Sequence, residues 1–183
     1  TGDVLVIATD ATVQSHAYSA ACRAHGLRAL EKACPLLVPL VEEGWTGEDR
    51  TGPSPLAKAA STPPQVAVTA QVIRIYLDEL LAEADAQGLH PDTLVLGCTH
   101  YPLLRPLIER AVPAGMQVID SAESAAEAAV HLFNGRAAAS ISETPTQTLI
   151  RCFATDSVEK FERLGSRFLG HPVGNVELVD LGG

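Results

Sequence analysis

"TLVLGCTHYPLL", residues 93–104, joins a short apolar run to a glycine, a cysteine, a threonine and a histidine, and then to Tyr-Pro. The run Leu94-Val95-Leu96 suits a strand buried on both faces, the usual state of a strand in a parallel sheet. Gly97 permits close backbone approach, and Pro102 sits comfortably in the first turn of a helix expected over 103–111. Strand, tight turn and helix in that order are the repeating unit of an α/β fold.

The same order recurs on either side. Residues 4–8 are apolar and precede a helical segment over 12–24, with Asp10 or Thr12 available as a cap. "MQVID" leads into "SAESAAEAAVHLF", where Ser121 and Ser124 can cap and alanine supplies helix propensity. "TLIRCFA" leads into "SVEKFERLGSRFLG", and "VELVDL" reads as a closing strand. "LRALEKACPLLVPLVEEG" reads as a strand running into a short helix. Residues 44–64 are rich in Gly, Pro and Ser and are expected to be loop. Beyond them Val72, Ile73, Tyr76, Leu77, Leu80, Leu81 and Ala84 recur at helical spacing, which predicts a helix over 65–87. "NGRAAASISETPTQ" reads as a linker between two lobes.

Composition narrows the function classes. The 183 residues are 46% hydrophobic, enough for a sizeable core, and no apolar run approaches the roughly 20 residues of a membrane-spanning helix. A net charge of -9 with 13 scattered basic residues argues against nucleic acid and for a small diffusing ligand. Cys22, Cys34, Cys98 and Cys152 lie far apart with no C-x-x-C pair, so neither a zinc site nor a disulfide framework is indicated. Reduced thiols in a cytoplasmic protein are the expectation. The chain begins on Thr1 and enters "DVLVIA" almost at once, as a piece of a longer protein would.

Ligands of open α/β sheets bind beyond the carboxyl ends of the strands. Three strand ends qualify: "ATDAT" at 8–12, "GCTHYP" at 97–102, and Asp120 with Ser121. If strand geometry persists for two residues, Cys98 and His100 point to the same side, where an imidazole can take a thiol proton or stabilise a thiolate. Thr99 offers a hydroxyl and an N–H to a carboxylate. Cys98 reads equally well as a small core residue, and His100 as a turn histidine. Cys22, Cys34 and Cys152 read as packing; His16, His25, His90, His131 and His171 read as solvated. Asp10 and Thr12 read locally as a cap and a first-turn residue, and Glu42 as an exposed charge at a helix end.

These residues carry a resemblance. "LVLGCTHYPLL" closely resembles the second cysteine motif of bacterial glutamate racemases, and "VIATDATVQSHAY", "ACPLLVPLVEEG", "VIDSAE" and "RFLG…VELVDL" extend the likeness over nearly the whole chain. Aspartate racemases of the same superfamily typically have an acidic residue where His100 stands. The resemblance implies two similar lobes, with 1–121 a parallel-sheet, flavodoxin-like α/β lobe that is the second of them and carries the cysteine motif, and 122–183 the C-terminal part of the first. It implies cofactor-independent inversion of glutamate by two opposed cysteines, supplying D-glutamate for peptidoglycan. No metal is implied. Cys98 matches the second of those cysteines; His100 would tune its protonation and touch substrate; Thr99 and Thr12 would bind substrate; Glu42 and Asp10 are further candidates. A homodimer is compatible with it. The likeness matches the C-terminal two-thirds of the family; the motif holding the first catalytic cysteine is absent, and position 8 is Ala where Gly is usual. A related thiol-dependent racemase or isomerase and an inactive carboxylate-binding remnant are the alternatives.

Overall fold

A computed structural model describes residues 1–47, 62–133 and 151–182. Thr1–Gly47 with Thr62–Leu132 form one compact unit, and the described residues from Phe133 onward belong to a second. The expected linker at 134–147 and most of the expected loop at 44–64 lie outside the described residues.

The first unit is built on four parallel strands. They are β1 (Asp3–Ala8), β2 (Arg28–Ala33), β3 (Thr93–Gly97) and β4 (Gln117–Asp120), in the order β2-β1-β3-β4. That is the order of a flavodoxin-like sheet, with β1 at its centre. All six residues of β1 are buried. In β3 burial alternates: Leu94 and Leu96 are fully enclosed while Val95 is half-buried. The expectation of a strand covered on both faces therefore holds only in part for β3, and it is β1 that is enclosed throughout.

Between β1 and β2 the chain forms α1 (Asp10–Ser15) and α2 (Ala17–Ala24). The single helix expected over 12–24 is broken at His16, which adopts a left-handed conformation with φ 52°. The break has a partner in β2, because the carboxylate of Glu31 receives the Ser19 N–H (3.2 Å) and lies 3.4 Å from His16 Nδ1. The chain then crosses the sheet through α3 (Leu37–Glu42) and α4 (Pro64–Ala86) to reach β3. In α4 the buried residues Val66, Thr69, Ile73, Leu77, Leu80 and Ala84 fall three or four apart and form one stripe. This stripe meets Leu5, Ile7, Leu94, Leu96, Leu107 and Ile108 in the core.

After β3 the expected helix at 103–111 is instead a 3-10 turn, Tyr101–Leu104, followed by the short α5 (Arg105–Glu109). Pro102 and Pro106 each remove a backbone N–H, which favours short turns here over a long helix. β4 passes directly into α6 (Ser121–Phe133), where Asp120 rather than a serine takes up a free backbone N–H, that of Ala122, at 2.9 Å.

The second unit's described residues contain β5 (Cys152–Ala154), α7 (Val158–Leu169) and β6 (Val176–Leu178), with β5 and β6 parallel. Ser157 caps α7 by accepting the Lys160 N–H at 3.1 Å, and Gly170 ends it with a positive φ.

Candidate functional site

The chain leaves β1 toward β2 on one side and returns through α3 and α4 to β3 on the other. The direction of strand order therefore reverses between β1 and β3, and ligands of such sheets bind outside the carboxyl ends at that reversal. Ala8 and Gly97 stand opposite each other at those ends, followed by Thr9 and Cys98. The site suggested by residue type and the site suggested by topology coincide.

Gly97 is required by its surroundings. A Cβ at this position would lie 2.9 Å from Tyr18 Cε2, 3.1 Å from the Ile7 carbonyl oxygen and 3.2 Å from the Ala8 Cβ. The missing side chain at 97 is also what accommodates an alanine at position 8.

Cys98 follows as the first residue beyond the strand, half-buried, and its carbonyl accepts the Tyr101 N–H at 3.2 Å to close a tight turn. Burial pushes its thiol above the usual range, while backbone N–H groups of His100 and Tyr101 directed at it work in the opposite sense. Burial is the larger effect, so the resting group is a thiol. The same N–H groups supply donors to a thiolate once it forms.

His100 Nδ1 lies 4.0 Å from Cys98 Sγ and 3.4 Å from Thr99 Oγ1. Its other nitrogen, Nε2, faces Glu42 Oε1 at 3.7 Å, with both side chains about a quarter exposed. These are long contacts, of the kind that tighten when a substrate closes the site. Glu42 comes from the last position of α3, so the sheet crossover delivers a carboxylate to the side of the imidazole away from the thiol. Thr99 is exposed, and its hydroxyl is the group that meets His100 Nδ1.

Thr12 is half-buried in α1 and lies 3.0 Å, oxygen to oxygen, from Thr9. Thr9 was not a sequence candidate. It occupies the cap position of α1, yet its hydroxyl makes no capping bond and pairs with Thr12 instead. Two threonines three apart directly after a strand were the signal available. Asp10 is exposed at the first position of α1 and acts on Cys34 and Tyr101 through charge alone.

The third strand end is already occupied. Asp120 pairs with Arg105 (3.1 Å) and holds the Ala122 N–H. Cys34 is fully enclosed, and burial pushes its thiol up to about 12, as expected of an inert packing group. His16, His25, His90, His131 and His171 are exposed. Recesses of about 490, 380 and 320 Å³ lie elsewhere on the first unit, and none is lined by Cys98, Thr99 or His100. Among the described residues no group of three His, Cys, Asp or Glu is arranged to hold a metal, and no helix is long and apolar enough to cross a membrane.

No family model matches the chain. It is 46% identical over 202 aligned positions to a glutamate racemase of Koribacter versatilis, a match covering 100% of this chain and 62% of the relative. A crystal structure of a glutamate racemase isoform from Bacillus anthracis superposes with a TM-score of 0.74 at 29% identity, covering 98% of this chain and 58% of that one. The glutamate racemase of Francisella tularensis, solved with D-glutamate, shares the fold with a TM-score of 0.72 at 24% identity, over 99% of this chain and 59% of that one. The chain thus spans about three fifths of the length of the relatives it matches.

Proposed function

We propose, on the premise that this chain is a homologue of glutamate racemases along its whole length, that it is the part of such an enzyme carrying one of two opposed acid/base groups, and that Cys98 is that group. The observation that carries the reading is the position of Cys98 at the reversal of strand order, with His100 beside it and Glu42 behind His100. On this reading residues 1–121 form the second lobe of the enzyme and 122–183 belong to the first, while by contacts α6 groups with the first compact unit as far as Leu132.

The α-proton of an amino acid is weakly acidic, and inversion requires its removal from one face and delivery of another to the opposite face. A thiol suits this because both of its protonation states are accessible near neutrality. Acting as base, Cys98 first passes its own proton to His100, and the imidazolium is balanced by Glu42. The thiolate then takes the α-proton, helped by the backbone N–H groups of His100 and Tyr101. In the reverse direction Cys98 is the acid and returns a proton to the carbanion. The Thr99 hydroxyl and N–H, with the Thr9 and Thr12 hydroxyls, bind the substrate carboxylates and stabilise the charge that develops on the one next to the α-carbon. Glutamate is the substrate, no cofactor takes part, and the D-glutamate formed serves peptidoglycan synthesis in the cytoplasm. A homodimer of the whole enzyme is compatible with this reading.

The partner acid/base group is not Cys34, which is fully enclosed; Cys22 matches another segment of the family, and Cys152 reads as packing within β5. We therefore expect the 183-residue chain alone to leave L-glutamate unconverted when followed by circular dichroism. Within the longer protein, Cys98→Ser should abolish racemisation in both directions. Undiminished exchange of the α-proton with D2O in that variant, from both enantiomers, would refute the role given to Cys98.

A further inference from the structure

The groups of the site hang from three separate segments. Cys98, Thr99 and His100 belong to the turn after β3, Thr9 and Thr12 follow the tip of β1, and Glu42 ends the helix that follows β2. One side chain links the first of these to the tip of β1 and to the residue that leads from β2 toward the helix of Glu42. Tyr101 is fully enclosed, and its phenolic oxygen lies 3.0 Å from the Ala8 carbonyl oxygen at the end of β1 and 3.0 Å from the Cys34 carbonyl oxygen just beyond β2. Its own backbone N–H closes the Cys98 turn.

We infer that Tyr101 is a positioning residue, whose single phenolic proton, shared between two strand-end carbonyls, fixes the Cys98–His100 turn relative to the β1 and β2 tips. The inference rests on the role proposed for Cys98 and deepens it. The geometry separates this role from mere stability. Ala8 O also accepts the Cys34 N–H at 2.9 Å, and Cys34 O also accepts the Leu37 N–H at 3.2 Å. Removing the phenol oxygen therefore strands neither carbonyl, and a phenylalanine ring fills the same space. What is lost is the side-chain bond from the Cys98–His100 turn to the β1 tip and to Cys34, which stay joined to each other by the Cys34 N–H on the Ala8 carbonyl.

A reading of the thiol itself tests this in the chain as it stands. The rate of Cys98 alkylation by iodoacetamide, resolved from Cys22 and Cys152 by peptide mass spectrometry and followed against pH, reports the environment of Cys98 without substrate. With Tyr101 in place, His100→Asn should shift this pH profile, and in a Tyr101→Phe background the same substitution should shift it far less, a coupling of about threefold or more in rate. Incorporation of 4-aminophenylalanine at position 101, which keeps a donor at the ring end, should restore the coupling, and it carries the test if Tyr101→Phe folds poorly. Tyr76→Phe is the control: Tyr76 accepts the Leu36 N–H at 3.4 Å near the start of α3 but has no bond to the β1 tip or to the Cys98 turn. Coupling that survives Tyr101→Phe undiminished, or that Tyr76→Phe reduces equally, overturns the positioning role and leaves the Cys98–His100 pair standing. A Cys98 profile indifferent to His100→Asn even with Tyr101 present overturns the site reading, and this inference with it.

Discussion

Gly97 and Cys34 make opposite demands on the same crowded strand ends, one by lacking a side chain and the other by burying one. For Gly97→Ala, the new Cβ would press on the Tyr18 ring, the Ile7 carbonyl and the Ala8 methyl at 2.9 to 3.2 Å. Backbone cannot give way as a flexible side chain can, so the variant should lose about 1–3 kcal/mol, read as a lower urea midpoint at unchanged slope. An unchanged midpoint would mean the strand ends are looser than drawn. Cys34 gives a pH signature. Its thiol is pushed to about 12 in the folded state, above the unfolded value, so above the ordinary thiol pKa the unfolded chain has released a proton that the folded chain keeps. Stability should then fall as pH rises from about 9 toward 12, by up to about 1.4 kcal/mol per pH unit from this one group. Cys34→Ala should flatten that alkaline decline; equal slopes in the two proteins would show that Cys34 does not carry it. At this scale sequence is informative for residues that act near their own chain neighbours: Cys98, Thr99 and His100 are adjacent, and the thiol and imidazole do meet. It is silent on Tyr101, whose hydroxyl reaches partners 93 and 67 positions away, and nothing in "HYP" marks that reach.

Elements were legible in proportion to their length and periodicity. The apolar spacing of α4 predicts a helix over 65–87, and Pro64–Ala86 is observed, because about six turns of consistent pattern outweigh any single residue. Its two faces should differ sharply on mutation. Leu80→Ala removes a side chain with no exposure and should cost about 2–5 kcal/mol, whereas Ile75→Ala, at 47% exposure, should stay within about 0.5 kcal/mol. Similar losses at both positions, measured by thermal or urea unfolding, would contradict the assignment of faces. Short elements were less legible. The break at His16 follows from a tertiary contact with Glu31 on β2 that no local pattern announces. Since a left-handed backbone penalises any side chain with a Cβ, His16→Gly should be more stable than His16→Ala by about 1 kcal/mol. The reverse order would place the break elsewhere. Of the run "TLIRCFA", Cys152–Ala154 pair with Val176–Leu178, and residues 148–150 lie outside the described residues.

For the whole molecule, the strand order β2-β1-β3-β4 puts the reversal between β1 and β3, and so turns a local cysteine motif into a located site. The alternation of strands and helices made an α/β class readable, but strand order depends on which crossovers pack, and that lies beyond residue pattern. The two units differ in how much core they own. The first encloses a continuous cluster from Leu5 to Val118, whereas among the described residues of the second only Ala154 and Val173 are buried hydrophobics. Phe153, Phe161, Phe168, Leu169, Leu178 and Leu181 are exposed, and the sheet beneath them has two strands. A two-stranded sheet with one helix and so little enclosed area, as the described residues of the second unit form, is marginal on its own. Native-state hydrogen exchange of this chain should therefore divide along the same line. Amides of β1, β3 and α4 should exchange only through global unfolding, and those of β5, α7 and β6 through openings of much lower free energy, with urea slopes to match. If the amides of α7 were as slow as those of α4, the two units would share one cooperative fold and the division drawn from their cores would be wrong.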